Sequence, residues 1–560
     1  MMNSRIYKKA LGLALAALTA TACSDEWNDH YDVGVIGSDV SIWQAISEDE
    51  NLSNFASVVK ACGYDAALNS SQVFTVFAPT NETFSAEEAQ QLIDSYKLQD
   101  GKVEREDNTV IKEFIQNHIA LYNYSVAPEV IDTITMLNGK SLHLSTGNLS
   151  GSEIISSNKL QRNGVLFTLK NKIDYFPNVF EYLRKDADLD SVANFLYGYN
   201  IYEFDPSQSV PGEIKDGKVE YLDSVKILQN EMFRYLGRLS SEDSTYWMVA
   251  PTNEVWNSLV SEYEPYFNYA DNVNKRDSLS YANTRLSMIL GSVFSRTFNP
   301  DDQINDSVRS TQSVAYERRL ARYGYNDIPY YVFNKPFEPG GVFYNTENHQ
   351  CSNGQVMKTG EWNFDKRLTF FAKNQIEVSY RSYLDSIDSK STRPLTVREV
   401  EPGNPFYDKV INNRYAEISS VTETGRPYAV FNVTNTLSNI GYDIYVVTAP
   451  ALAGDTLATD IERLPSKMRF TLYYPDQTGK EVEERLKNGD ENEFVNRVDA
   501  VDSILIARDF KFPTSTYYLG GFHTKLKIES RATSSEIRNN TYTNTMRINA
   551  IILKPHEEEN

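Results

Sequence analysis

The chain has 560 residues, 41% of them hydrophobic, 12% aromatic and 23% charged, with tyrosine unusually plentiful at 36. That length exceeds what one hydrophobic core organises, and the balance excludes collagen-like, coiled-coil and wholly disordered chains. The 55 basic against 76 acidic side chains leave a net charge of −21. A field of that sign repels phosphate backbones and anionic headgroups, so nucleic acid is not an expected partner.

At the N-terminus Arg5, Lys8 and Lys9 precede a largely apolar run from Ala10 to Ala22. The run falls short of the roughly 20 residues a membrane-spanning helix needs and suits a secretory signal peptide. It ends in Ala20-Thr21-Ala22-Cys23, which resembles a bacterial lipobox, with Ala20 where Leu is usual. The resemblance implies a signal peptide over 1–22 and a lipidated Cys23 as the mature N-terminus. Ser24-Asp25-Glu26 resembles the surface-export signal of lipoproteins in Bacteroidota. It implies that 23–39 is an acidic tether and that the protein sits in the outer membrane facing outward. The membrane is then touched only through the lipid anchor.

The strongest signal is a repeat. Residues 74–84 and 246–256 share the core Ala-Pro-Thr-Asn-Glu, as Ala78, Pro79, Thr80, Asn81, Glu82 and Ala250, Pro251, Thr252, Asn253, Glu254. A buried strand leads in, and proline, having no N–H to donate, ends its ladder. Thr80/Asn81 and Thr252/Asn253 are expected to cap the helix that follows, with Phe84 and Trp256 turning back to the core. Ahead of the first box, Ile42, Ile46, Leu52, Phe55, Val58, Val59 and Cys62 fall at helical spacing. Ahead of the second, Val192, Phe195 and Leu196 begin a similar pattern that Met232, Tyr235 and Leu236 continue. The insertion between them, Asp205-Pro206 through Val210-Pro211-Gly212, reads as a loop. Each copy is expected to close on a short β unit, at Gly164–Leu169 and at Gly341–Tyr344.

These boxes resemble the fasciclin domain, a compact α/β module. Asn117-His118-Ile119-Ala120 and the turn around Leu137-Asn138-Gly139 match a later feature of that family; Leu290–Phe294 of the second copy does not. The resemblance implies a fasciclin-like domain at 40–185 and another, with insertions, at 187–380. It also implies that His118 is a packed, hydrogen-bonded residue.

Past Ser386–Pro394, read as a polar linker, the texture changes to short alternating runs. Tyr428–Val433, Tyr442–Val447, Met468–Tyr474, Ser503–Ala507, Thr524–Ile528 and Met546–Leu553 are bounded mostly by Gly, Pro, Asn or Asp. Such spacing predicts an antiparallel β-sandwich over 395–560. The fold class expected is therefore multidomain, two α/β fasciclin-like domains followed by an all-β antiparallel sandwich.

Catalytic signatures do not emerge. The six histidines form no HExxH pair, no Cys/His cluster has zinc spacing, and no GxSxG elbow, Walker A loop or GxGxxG follows a strand. Asp186-Ala187-Asp188-Leu189-Asp190 starts like a calcium loop but has Ser191 and Tyr197 where Gly and Glu belong, so it reads as a helix start. Nothing in the spacing of Cys62 and Cys351 requires a disulfide. No catalytic residue, metal or cofactor is expected, and the protein is read as not an enzyme.

Sugars present C–H faces that stack on aromatic rings and hydroxyls that need polar partners. The ligand-binding candidates are Tyr473, Tyr474, Tyr517, Tyr518 and His523, with Tyr323, Tyr325, Tyr330 and Tyr331 as a further cluster. Asp-Ser or Asp-Thr before an apolar residue or Thr, as at Thr133, Ser278 and Ser503, resembles the O-glycosylation acceptor of Bacteroidota. The function expected is binding of a glycan or glycoprotein in aid of a SusC/SusD-type outer-membrane transporter. The alternative is an adhesin whose fasciclin domains bind proteins on host or neighbouring cells.

Overall fold

The computed structural model describes residues 39–206, 209–215, 218–223, 226–311, 331–521 and 523–557. The signal peptide, Cys23, the tether up to residue 38, Tyr323, Tyr325 and Tyr330 lie outside them. The chain divides into two units, one holding Met1–Phe176 with Ile201–Gln229, the other Pro177–Asn200 with Asn230–Asn560.

In the first unit the helix Ile42–Glu48 starts at a capping box, with the Ser41 hydroxyl accepting from Gln44 N and the Gln44 side chain accepting from Ser41 N. Helix Ser53–Ala61 follows, and all seven apolar positions expected from the spacing are fully buried. Strand Phe74–Pro79 (β1) is buried along its whole length. It runs antiparallel to Ile119–Leu121 (β2) and parallel to Gly164–Leu169 (β7). Asp132–Thr135 (β3), Ser141–Ser145 (β4), Asn148–Leu149 (β5) and Ser152–Gln161 (β6) complete a sheet of order β2-β1-β7-β6-β5-β4-β3. One core lies on the helical side around Phe55, Val58, Phe84 and Phe114. The other holds Phe77, Ile134, Leu149 and Phe167, with the Phe77 and Phe167 rings stacked at 4.8 Å. Each such side chain contributes about 1.5–3 kcal/mol by leaving water.

The insertion expected as a loop is a ribbon of strand pairs, Asn200–Phe204 (β8) with Lys226–Asn230 (β11) and Val210–Lys215 (β9) with Lys218–Asp223 (β10). Pro211 stands opposite Tyr221 where the register shifts, the irregular place in a ladder that tolerates proline. The ribbon belongs to the first unit: the Tyr202 hydroxyl donates to Asp107 Oδ1 at 2.6 Å, and Lys226 Nζ meets Glu104 at 2.7 Å.

In the second unit, helix Asp190–Tyr197 buries Val192, Phe195 and Leu196. Strand Tyr246–Pro251 (β12) lies antiparallel to Val293–Ser295 (β13) and parallel to Gly354–Thr359 (β17), which pairs in turn with Glu347–Cys351 (β16). A small pair, Ser307–Arg309 (β14) with Val332–Asn334 (β15), forms its own two-stranded sheet, and its Val308 and Phe333 join the core of Val249, Phe294 and Met357. The closing β unit is therefore Gly354–Thr359 and not Gly341–Tyr344. The apolar residues of the latter reflect packing in a turn, Phe343 lying 4.9 Å from Phe294 and 5.7 Å from Trp247.

The rest is mostly β. One sheet joins Thr396–Glu399 (β20), Arg414–Ile418 (β21), Met546–Pro555 (β29), Tyr442–Thr448 (β23) and Asp502–Phe510 (β27), with Asn374–Glu377 (β18) added on β29. The other joins Leu384–Ile387 (β19), Tyr428–Val433 (β22), Thr524–Ser530 (β28), Lys467–Pro475 (β24) and Glu481–Arg485 (β25), with Phe494–Val495 (β26) on β24. All these pairings are antiparallel. Strands thus begin at Asn374, ahead of residue 395, and an edge strand, Leu384–Ile387, runs into the start of the expected linker, with Thr392 bridging Ser420 beyond it. Only Asp385 and Ser386 of this strand are polar and exposed, and that short polar middle mimics a linker.

Within this unit the segment Pro265–Tyr269 is sewn to the β region. Phe267 packs on Tyr517 at 5.5 Å and on Phe370 at 5.7 Å. The Tyr269 hydroxyl donates to Tyr517 O at 2.8 Å and accepts from Asn283 Nδ2 at 2.6 Å, while Ser438 Oγ donates to Pro265 O at 2.8 Å.

Candidate functional site

The repeated boxes turn out to be anchors for what precedes them. Asn81 Oδ1 accepts from Asn54 N at 3.1 Å and its Nδ2 donates to Glu50 O at 2.8 Å. Asn253 does the same, accepting from Ser191 N at 2.8 Å and donating to Ala187 O at 2.9 Å. Each amide thus caps the helix before the strand. Thr252 caps the following helix as expected, accepting from Val255 N, whereas the helix after Thr80 begins only at Ala86, capped by Ser85. A second pair of asparagines recurs: Asn163 accepts from Ile42 N at 2.9 Å and donates to Leu68 O, and Asn353 accepts from Val179 N at 2.8 Å and donates to Leu239 O. The glycine that follows each, Gly164 or Gly354, lies against the central strand, where a Cβ would stand 1.8 Å from Phe74 O or Tyr246 O.

His118 is fully buried, with Nδ1 donating to Phe114 O at 2.7 Å and Nε2 accepting from Ile173 N at 3.0 Å. That pattern needs the neutral ring, and burial pulls its pKa from 6.5 down to about 4. It is a core residue with no acid–base task at neutral pH.

The aromatic candidates part company. Tyr517, expected as a ligand contact, is only 7% exposed and forms the floor beneath Phe267. It is closed to a ligand because its ring fills the seam to Pro265–Tyr269. Tyr518 is 48% exposed, in left-handed backbone, with its ring 4.7 Å from Tyr517 and 6.0 Å from Tyr235. His523 is exposed, its Nε2 2.8 Å from Gly520 O. Tyr474 is half-buried, donating to Glu484 at 2.6 Å with its ring on Phe510 and Phe512.

Tyr473 alone stands on the outward face of a sheet. In β28, Thr524, Leu526, Ile528 and Ser530 point inward and Lys525, Lys527 and Glu529 outward. Cross-strand register then lines up Asn432, Lys525, Tyr473 and Glu483 in one row. Lys525 pairs with Asp385 at 3.2 Å, Lys527 lies 4.2 Å from the Tyr428 ring centre, and Arg469 holds Glu493 at 2.7 Å. Burial, with Glu483 beside it, pushes the Tyr473 phenol up, so it stays protonated. Asn432 is buried there, and among the described residues its Oδ1 meets no donor. This face offers hydrogen-bonding groups in a fixed array, suited to a hydroxyl-rich ligand. Asn432 escaped notice in the sequence because only register brings it into the row of Tyr473, across Lys525.

A polar cluster was also missed. Tyr182 stacks on His349 at 4.8 Å, His349 meets Glu347 at 3.2 Å, and Lys358 bridges Asp186 at 2.8 Å and Glu347 at 3.4 Å. Asp186 caps the turn at Asp188, so the run read as a helix start acts as one. Among the described residues no group of His, Cys, Asp and Glu is placed to hold a metal ion, and no helix is long and apolar enough to cross a membrane.

The Fasciclin domain family model matches residues 50–173. A search of curated proteins finds no match. Among solved structures the chain is similar to the FAS1 domain pair of the insect cell adhesion molecule Fasciclin I, at 11% identity, covering 57% of this chain and 98% of that one, with a TM-score of 0.18. It is also similar to the CBM22-1 xylan-binding domain of Paenibacillus barcinonensis Xyn10C (8% identity, 34% and 96% covered, TM-score 0.21). A third is the CBM22-1–GH10 portion of Clostridium thermocellum xylanase 10B solved with xylohexaose (12% identity, 33% of this chain, TM-score 0.21), of which this chain spans 28%. Fasciclin domains are typically non-catalytic adhesion domains. The protein is multidomain, with a fasciclin domain at residues 50–173 and a mostly β C-terminal region.

Proposed function

We propose that this protein is a non-catalytic, surface-exposed lipoprotein that binds a glycan or glycoprotein and assists a SusC/SusD-type outer-membrane uptake system. The observation that carries the binding role is the fasciclin domain at 50–173, a module of adhesion rather than catalysis. The lipobox at Ala20–Cys23 and the acidic Ser24-Asp25-Glu26 support the outer-membrane location. The paired asparagine anchors and the repeated parallel register support reading the second α/β region as another fasciclin-like domain, with a sandwich after it. The outward face around Tyr473 is the ligand surface, and weak contacts there gain from proximity to a transporter. A mild-detergent pull-down of the tagged protein from its own outer membrane is expected to bring a SusC/SusD-type pair in stoichiometric amount. Recovery of the lipoprotein alone would refute the uptake role.

The second reading, a free-standing adhesin, is favoured by the same fasciclin domain. Cell attachment that persists after the transporter genes are deleted is the outcome that selects it.

A further inference from the structure

A groove of about 520 Å³ runs over the second α/β region, lined among others by Asn194, Phe195, Tyr199, Asp277, Ser278 and Tyr281. Two helices build it, Asp190–Tyr197 on one side and Arg276–Ile289 on the other. Ser278 and Tyr281, three residues apart, share one face of the second helix. Phe195, 2% exposed, is the floor, with Trp256 5.8 Å away, the Tyr199 ring edge-on at 5.4 Å and the Tyr281 ring at 6.1 Å.

Tyr281 is 47% exposed, yet its ring is not loose. The Arg285 guanidinium, one turn on, lies 3.7 Å from the ring centre and holds its plane. A ring fixed before the ligand arrives loses little entropy on binding. Short polar side chains stand around it: Asn194, Ser278 and Asp277 are all exposed, and Asp277 also meets Arg276 Nε at 3.2 Å. A neighbouring depression lined by Asp271, Lys275 and Arg276 shares Asp277 and Ser278, so the groove has room to continue.

These features select among ligand classes. Both walls are helices, so an extended peptide finds no strand edge to join. An acidic chain with Asp277 at the rim repels nucleic acid. The volume falls in the usual range for small-ligand sites, roughly 300–1,000 Å³, and an aromatic platform beside clustered short hydrogen-bonders matches a ring with apolar faces and hydroxyl edges.

We propose that this groove is a saccharide-binding site, in which Tyr281, flanked by Tyr199, stacks on a sugar ring while Asn194, Asp277 and Ser278 hold its hydroxyls. It is separate from the face around Tyr473 and rests on the glycan-binding reading above. The sugar comes either from free polysaccharide or from a protein-linked glycan, and both present the same ring.

The test uses the full mature chain in affinity electrophoresis against soluble glucans, mannans, fructans, galactans and uronans, and against gastric mucin. Tyr281→Ala is expected to weaken retention about ten-fold, Tyr281→Phe to keep most of it, and Ser278→Trp, which fills the groove from an exposed position, to abolish it. Retention in a polysaccharide gel assigns the free source and retention on mucin the protein-linked one. Wild-type retention that survives Tyr281→Ala and Ser278→Trp, with thermal stability unchanged, overturns this site but leaves the glycan reading standing. No retention of the wild type by any probe overturns both. A glycan carried covalently on Ser278, read by peptide mass, would fill the groove from within and likewise overturn it.

Discussion

Asn81 and Asn253 each accept from an N–H in the first turn of the helix before their strand and donate to a carbonyl of the turn ahead of it. Asn81→Ala or Asn253→Ala is expected to cost about 1–3 kcal/mol, with Asp in their place recovering only the acceptor half; urea denaturation of each variant reads the loss. The box was plain in the sequence as a repeat, but its task was not. Capping logic looks one turn ahead, whereas the partners of Asn81 lie 27 and 31 positions behind it. His118 gives a pH signature. Its folded-state pKa lies below the ordinary 6.5, so the unfolded chain takes the proton first, and stability falls as pH drops from 6.5 towards 4 and levels off below. The contribution is on the order of 3 kcal/mol, and it is expected to vanish from the difference between pH 7 and pH 4.5 melts in His118→Gln. At this scale the aromatic candidates show the limit of reading by residue type: Tyr517 and Tyr518 are neighbours in sequence, one sealed in a seam and the other half open.

At the level of elements, two glycines let a parallel strand approach the central one. Gly164→Ala and Gly354→Ala each drive a Cβ into a carbonyl of that strand, and a loss of at least about 3 kcal/mol is expected. Limited proteolysis should show early cleavage in the unit that carries the change. The long buried strands of the C-terminal region were legible because alternation at period two is a direct trace of one wet and one dry face. The ribbon at 200–230 and the edge strand Leu384–Ile387 were not, since the proline of Val210–Lys215 and the exposed polar residues of Asn200–Phe204 and Leu384–Ile387 are the composition of loops. Gly341–Tyr344 failed in the opposite sense, its apolar side chains packing from a turn.

Across the whole molecule, the second unit joins an α/β region and a β region through a seam of buried rings and hydrogen bonds at Phe267, Tyr269 and Tyr517. Removing residues 395–560 strips β18 and β19 of their partners and bares that seam. The shortened chain is expected to aggregate in size-exclusion chromatography, while Tyr269→Phe in the full chain costs only about 1 kcal/mol. Truncation is therefore a poor way to locate the ligand, and exposed single substitutions such as Tyr281→Ala are the sharper instrument.

The chain leaves the first unit at Pro177, returns at Ile201 and departs again at Asn230. A polypeptide delivered N-terminus first meets this weave as a schedule. The first sheet can close once Leu169 has emerged, but Phe195 must wait in water until Trp256 and Tyr281 arrive behind it. Until then that short helix is open to misassembly, and substitutions that speed its burial should raise the yield of folded protein before they change its final stability.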